Sequence, residues 1–229
     1  MTTPATLATD GAAPPRRPNL RMLRPHLDEL PPLEPVLTAL PAGYGFRIYH
    51  PGDEAPWAAI MNTMNEGQPS QWDAAKAGEK LTGCPYPQFD PHGLFFITHG
   101  TDAIPIGSAC AWLPHPDEME MGILHMVCVL PEHRGHRLGY PLCLAVLHRF
   151  RERGFRRVRL NTGEHRLGAV KIYLELGFQP VFRHPLHPEQ WREIVRQLNW
   201  TSPLTPFVEA QSAPGGEVHL PTLDGRMSG

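Results

Sequence analysis

The residues best suited to chemistry in this chain of 229 residues form one loop, Val129-Leu130-Pro131-Glu132-His133-Arg134-Gly135-His136-Arg137-Leu138-Gly139-Tyr140. Pro131 cannot donate to a sheet ladder, so it ends the strand before it. Gly135 and Gly139 let the backbone turn and let a ligand approach closely. Pro141 fits a first helical turn, where its missing N–H costs nothing. The helix therefore opens with unsatisfied N–H groups beside Arg134, His136 and Arg137. Free N–H groups, a helix dipole and cationic side chains together make a site for phosphate oxygens. An ordinary strand–turn–helix with a solvated basic rim reads the same way. The loop has neither the Gly-Lys-Ser/Thr of a Walker loop nor the Gly-x-Gly-x-x-Gly of a dinucleotide turn.

The elements around the loop alternate. Tyr44–Tyr49 reads as a strand, and Asp53 opens a helix running through Trp57, Ile60, Met61 and Met64. A short helix is expected over Gln71–Leu81, and strands over Leu94–Thr98 and Ile104–Trp112. Gly122–Val129 is almost wholly apolar, as a central strand buried on both faces would be. Leu138–Arg153 is an amphipathic helix, Arg157–Leu160 a strand, His165–Leu176 a helix and Phe178–Phe182 a strand. Pro188 then opens a last helix through Leu198. The pattern is α/β (α+β), a mixed central sheet flanked by helices. Residues 1–19 read as a disordered arm, 20–43 as an extended strap on the domain, 44–200 as the domain itself, and 201–229 as a disordered tail.

Bulk properties narrow the function. A formal net charge of −2 gives no general reason to expect nucleic acid. No apolar run reaches the length of a membrane span, and the N-terminus lacks a charged region followed by an apolar one. Cys84, Cys110, Cys128 and Cys143 have no Cys-x-x-Cys spacing, so buried free thiols in the cytoplasm are expected. His133/His136 and His184/His187 have metal-like spacing without further ligands to complete a site, so no metal is expected.

Val129-x-Pro131-x-x-Arg134-Gly135-x-x-Leu138-Gly139 resembles the acyl-CoA signature of the GNAT (GCN5-related N-acetyltransferase) superfamily. Ala169–Phe178, a helix ending in Tyr173-x-x-x-Gly177-Phe178, resembles that superfamily's second hallmark. The likeness covers Tyr44 to Phe182, and the ordered pair of motifs is more specific than either alone. It implies transfer of an acetyl group from acetyl-CoA to an acceptor; an amine of a small metabolite is the expected one, with a protein N-terminus or lysine, or an antibiotic, as alternatives. Val127, Cys128 and Val129 would pair with the pantetheine arm, with a backbone N–H near Cys128 polarising the thioester carbonyl. Gly135, His136, Arg137, Leu138, Gly139 and Tyr140 would hold the pyrophosphate with Arg134. Tyr173 would protonate the departing thiolate; a phenol of pKa about 10 can do so for a thiolate of about 8.5. Arg137 stands where the family usually has glycine, and Arg166 where it often has asparagine. Arg137 is expected to add a phosphate contact, and Arg166 to reach the phosphates or cap its helix.

Amine acylation also needs a base, because an ammonium group cannot attack. Candidates are Glu118 and Glu120, before the central strand, and His125 within it. Strand alternation places Ile123, His125 and Val127 on one face. Trp57, Met61, Met64, Trp72 and Tyr86 surround the expected acceptor side, where core packing explains most of them. A CoA-binding protein without turnover is a second class. A nucleic-acid module using Arg149, Arg151, Arg153, Arg156, Arg157 and Arg159 is a third, although such runs are usually solvated faces. The transferase, a monomer or homodimer without nucleic-acid or membrane partner, is the expectation.

Overall fold

The computed structural model describes residues 17–65, 72–82, 88–114 and 120–209. Eight strands form one mixed sheet: β1 (Leu20–Arg24), β2 (Tyr44–Ile48), β3 (Gln88–His99), β4 (Ile104–Leu113), β5 (Met121–Val129), β6 (Arg157–Thr162), β7 (Gln179–Phe182) and β8 (Phe207–Val208). Their order across the sheet is β2-β3-β4-β5-β6-β1-β7-β8. The helices are α1 (Leu33–Thr38), α2 (Glu54–Asn62), α3 (Ala74–Thr82), α4 (Gly139–Glu152), α5 (Leu167–Glu175) and α6 (His187–Leu198).

Two apolar layers fix the sheet between helices. On one face α4, α5 and α6 bury Leu142, Val146, Phe150, Val170, Trp191 and Ile194 against the strands. On the other, α2 and α3 bury Trp57, Ile60, Met61, Ala77 and Leu81 against Leu94, Phe96, Cys110 and Trp112. Alternation along β5 explains its place between them. Gly122 packs against the Phe150 ring and Leu124 joins the α4 layer, while Ile123 packs on the α2 side.

The first part of the segment expected as an extended strap, Leu20–Arg24, lies inside the sheet. β1 pairs antiparallel with β6, Leu20 opposite Thr162 and Arg24 opposite Val158, and with β7, Arg21 opposite Val181. Leu20 and Met22 are fully buried in the α4 layer. The Arg24 guanidinium fastens the strand's end, donating to the carbonyls of His26 (2.8 Å), Glu29 (2.9 Å) and Leu176. It occupies the space beside Gly177, whose φ of +78° ends α5, so a β-carbon there would strike it. The expected tail also begins within the fold, since β8 adds in parallel to β7. Truncating Met22 to alanine removes fully buried packing from a central strand. It should cost about 2–5 kcal/mol in equilibrium denaturation; a loss below about 1 kcal/mol would mean that β1 is dispensable.

Half of the arginine run, Arg149, Arg153 and Arg157, is spent on intramolecular ion pairs. Arg149 (2.9 Å) and Arg153 (3.3 Å) both bind Asp90 in β3, whose carboxylate is buried, and Arg157 (3.2 Å) binds Glu120. Of the other expected elements, Gln71, Cys84, Tyr86 and Glu118 lie outside the described residues. Cys110, Cys128 and Cys143 are free and buried.

Candidate active site

The site starts from a break in pairing. β5 and β6 run parallel and pair at only three positions, Met121 with Arg157, Gly122 with Val158 and Ile123 with Arg159. Beyond Ile123 they separate, and β6 continues by pairing with β1. One edge of β5 from Leu124 to Val129 is therefore open, which leaves backbone groups there for an extended ligand to pair with.

The strand is also irregular at that point. Ser108 pairs with Cys128 and Cys110 with His125, so Ala109 alone faces both Met126 and Val127. This β-bulge has Met126 at φ +53°, and the Ser108 hydroxyl donates to the Met126 carbonyl at 3.3 Å. A non-glycine residue in that region costs about 1–3 kcal/mol, a strain that concentrates at functional positions. The extra residue reverses the alternation. Ile123 and Met126 pack on the α2 side with Cys128, whereas Val127 and Val129 join the α4 layer. Val127 therefore does not share the face of His125 expected from simple alternation.

Past Val129 the loop of residues 131–138 leads into α4. The N–H groups of His133 and Arg134 bond to Leu130 and Pro131 carbonyls, and that of Tyr140 bonds to Arg137. Among the described residues, no backbone acceptor meets the N–H groups of Gly135, His136, Arg137 or Leu138. Arg134 braces the loop through its Nε to the Val129 carbonyl at 3.1 Å. Leu138 is buried, so what it offers the loop is backbone. Tyr44 supports the loop from β2: its hydroxyl meets His133 Nδ1 at 3.0 Å, and its ring packs on His99 and His136. The Arg137 guanidinium turns aside from this cradle. Its backbone is at φ +58°, and its side chain pairs with Glu175 at 3.0 Å and lies over the Tyr140 ring.

The second motif approaches from α5. Tyr173 is buried and packs edge-on against Phe178 at 5.9 Å. Burial, chiefly, and the neighbouring Cys143 and Cys128 push its phenol well above the ordinary tyrosine range, against the pull of Arg166. Arg166 caps α5, the Val170 N–H bonding to its carbonyl, and its guanidinium donates to the Met64 carbonyl at 3.1 Å. It thus ties α5 to the turn after α2 instead of entering the loop of residues 131–138. The Cys128 thiol points the same way, 3.3 Å from the Thr63 hydroxyl, and burial raises its pKa so that it stays a neutral thiol.

The candidate bases separate in space. His125 is solvent-accessible yet set in a cleft, edge-on to Trp112 at 5.4 Å. Burial first, then the charges of Lys80 and Arg159, lower its pKa, which favours neutral imidazole. Glu120 stands just before the strand, five residues earlier and about 16 Å away along an extended chain, and its exposed carboxylate pairs with Arg157. On the cleft's α2 side Trp57 and Met61 are core, while Met64 and Trp72 are partly exposed. His184 and His187 lie elsewhere: His187 Nδ1 accepts the Arg183 N–H at 3.0 Å near the end of β7.

Sequence reasoning missed two features, the Met126 bulge and the role of β6 as the strand that diverges. Neither leaves a mark in residue type, since methionine is an uncommon bulge residue and Arg157–Leu160 reads as any strand.

A sheet opened beside a bulge, followed by an N–H-lined loop and a helix, describes the acetyltransferases of the GNAT type. The family model described as Acetyltransferase (GNAT) family matches residues 57–178, and the chain belongs to that family. Relatives include the mycothiol acetyltransferase of Thermobispora bispora, 32% identical over 166 residues, covering 69% of this chain and 52% of that protein. The mycothiol acetyltransferase of Thermomonospora curvata is 33% identical over 162 residues, covering 69% and 50%. The chain spans about half the length of these curated relatives. Among solved structures, a GCN5-related N-acetyltransferase from Sphaerobacter thermophilus aligns with TM-score 0.54 at 23% identity, over 72% of this chain and 49% of that one. A tandem GNAT protein from the clavulanic acid biosynthesis pathway aligns with TM-score 0.52 at 22% identity, over 71% and 50%. These likenesses show the fold. Among the described residues, no helix is long and apolar enough to cross a membrane.

Proposed function

We propose that this chain transfers the acetyl group of acetyl-CoA to an amine of a small-molecule acceptor in the cytoplasm. The observation that carries the reading is the open edge of β5 beyond Ile123, running past the Met126 bulge into the loop of free N–H groups. The pantetheine arm pairs along Val127, Cys128 and Val129, and the pyrophosphate rests on residues 135–140 beside Arg134. Relatives named mycothiol acetyltransferase support a small-molecule acceptor.

In the reaction the acceptor ammonium first gives a proton to His125, directly or through a water. The free amine attacks the thioester carbonyl, and the oxyanion that forms takes a hydrogen bond from backbone N–H at the bulge. The C–S bond then breaks, and the thiolate takes the Tyr173 proton. The phenolate takes the second proton of the acylated nitrogen, which leaves the neutral amide, and the imidazolium returns its proton to solvent.

The test is thiol release from acetyl-CoA, with a panel of amines, measured against pH. His125 acts only when neutral, and a lowered pKa keeps it neutral to lower pH. The acid limb of kcat should therefore have its midpoint below the ordinary imidazole value of about 6.5, and His125→Gln should remove that limb and lower kcat roughly 100-fold or more. Saturable acetyl-CoA binding without release for any amine would favour a CoA-binding protein without turnover. An acid limb untouched by the substitution would take the base role from His125.

A further inference from the structure

The acceptor side of the cleft has an uneven charge. α2 and α3 pack on β3, β4 and β5, and the remaining helices bury the opposite face of the sheet. On the α2 side no described helix lies over the floor formed by β6, β1 and β7, although Leu23 and Val181 on that face are buried. Register fixes which residues line that floor. Arg159 lies opposite Leu23 and beside Ile123, and Arg21 lies opposite both Asn161 and Val181. The floor therefore begins at the Ile123 and His125 face of β5 and continues outward through Arg159 to Arg21.

Among the described residues, carboxylates are scarce there. Arg21 and Arg183 share Glu209, at 3.1 and 3.2 Å. Arg159, half-buried, has no carboxylate partner among the described residues. Across the cleft, Lys80 of α3 holds its ammonium 5.1 Å from the centre of the Trp112 ring, and the edge of that ring system meets His125. Lys80 too has no ion-pair partner among the described residues. His125 is thus bracketed by cations from α3 and from β6, both near enough to act on its protonation. Unpaired cations in a partly desolvated cleft raise the local potential and draw an anion from the ligand. Trp112 adds an apolar wall between Lys80 and the base.

We propose that the acceptor is an amine bearing an anionic oxyacid group, held by Lys80 and Arg159 on the two sides of His125. This rests on the acetyl-transfer reading for the fate of the amine, but not for the binding of the anion. The geometry asks for a compact molecule whose amine reaches the bulge while its charge stays over the floor. Amino carboxylic acids are the simplest such compounds, and O-phosphoethanolamine is the phosphomonoester counterpart.

The test compares each acid with its primary amide, which has the same size and the same amine but no negative charge. Glycine, β-alanine and γ-aminobutyrate are titrated against glycinamide and the other two amides by calorimetry on CoA-saturated protein. O-phosphoethanolamine and ethanolamine form a separate arm that distinguishes phosphate from carboxylate. At least one acid should bind roughly 10- to 100-fold tighter than its amide, the range of a charge-assisted contact. Arg159→Gln and Lys80→Met should each move that ratio toward one, and Arg159→Lys should restore part of it. The acetyl-CoA-dependent rise in Tm reports that each variant is folded. Equal binding of acid and amide, a preference that survives both substitutions, or no binding by any member overturns the proposal. Preferential binding without acetyl transfer would defeat the transferase reading alone. Transfer to acid and amide with the same kcat/KM would defeat the anionic acceptor alone.

Discussion

Gly135→Pro should abolish the acetyl-CoA-dependent rise in Tm, while Gly135→Ala should only weaken it. Gly135 sits at φ +87°, and a β-carbon built there meets nothing within 4 Å. Alanine therefore suffers backbone strain of about 1 kcal/mol without a clash, and it keeps its N–H. A few-fold loss of affinity is the expected result. Proline cannot reach that φ, since its ring fixes φ near −65°, and it has no N–H to give. The loop must then rebuild, and the cradle from Gly135 to Leu138 loses its alignment. Two charge-assisted hydrogen bonds lost at about 1.5–3 kcal/mol each correspond to roughly 100-fold or more in affinity. The residue is exposed, so the unliganded Tm should change little by comparison. Isothermal titration with acetyl-CoA decides the matter. If the proline variant binds as the alanine variant does, the phosphates do not rest on this loop.

Tyr173→Phe should lower kcat by about 100- to 10,000-fold and leave acetyl-CoA affinity nearly unchanged. Phenylalanine preserves the ring packed against Phe178, so the loss isolates one hydroxyl. Burial holds that hydroxyl protonated beyond the usual phenol range. Tyr173 should therefore impose no alkaline limb below about pH 10, although a phenol so weakly acidic donates best to an equally desolvated thiolate. A donor with an intrinsically better leaving group, such as an acetyl thioester of an aromatic thiol, needs less help. The variant should recover most of its deficit with such a donor. A uniform deficit across donors would show that Tyr173 supports packing and not proton transfer.

Much of this arrangement was legible in residue types. The loop residues had to turn, and the glycines, Pro131 and Pro141 say where. α4, α5 and α6 announce themselves through apolar periodicity and clear stops, and the apolar run of β5 marks a central strand, although only its α4 side is fully covered as far as Leu124 and His125 is exposed. What could not be read is set by distant pairing. β3 begins at Gln88, well before Leu94, although Asp90, Pro91 and Gly93 argue against a strand; Asp90 is tolerated because Arg149 and Arg153 neutralise it from another element. The bulge at Met126 depends on how Ser108 and Cys110 meet β5, which no local pattern records. Arg166 was expected at phosphates or as a cap; its cap is present, but its reach to Met64 needs the fold. The cations near His125 come from two elements far apart in sequence, Lys80 of α3 and Arg159 of β6, so their convergence had no local signature.

The seat of β1 has a consequence for how the chain acquires its shape. Its partners are β6 and β7, with Leu20 facing Thr162 and Arg21 facing Val181. During synthesis, the segment that leaves the ribosome early must wait until both flanking strands have followed it. Such distant pairings pay loop-closure entropy before any contact repays it, which slows folding. Until it docks, Leu20 and Met22 remain uncovered and the neighbouring strands keep unpaired edges, the kind of surface on which nascent chains associate wrongly. The divergence of β6 from β5 is thus completed on its far side by a strand that precedes both in the chain. A bulky fusion placed just ahead of Leu20 would burden the last step of assembly rather than the first.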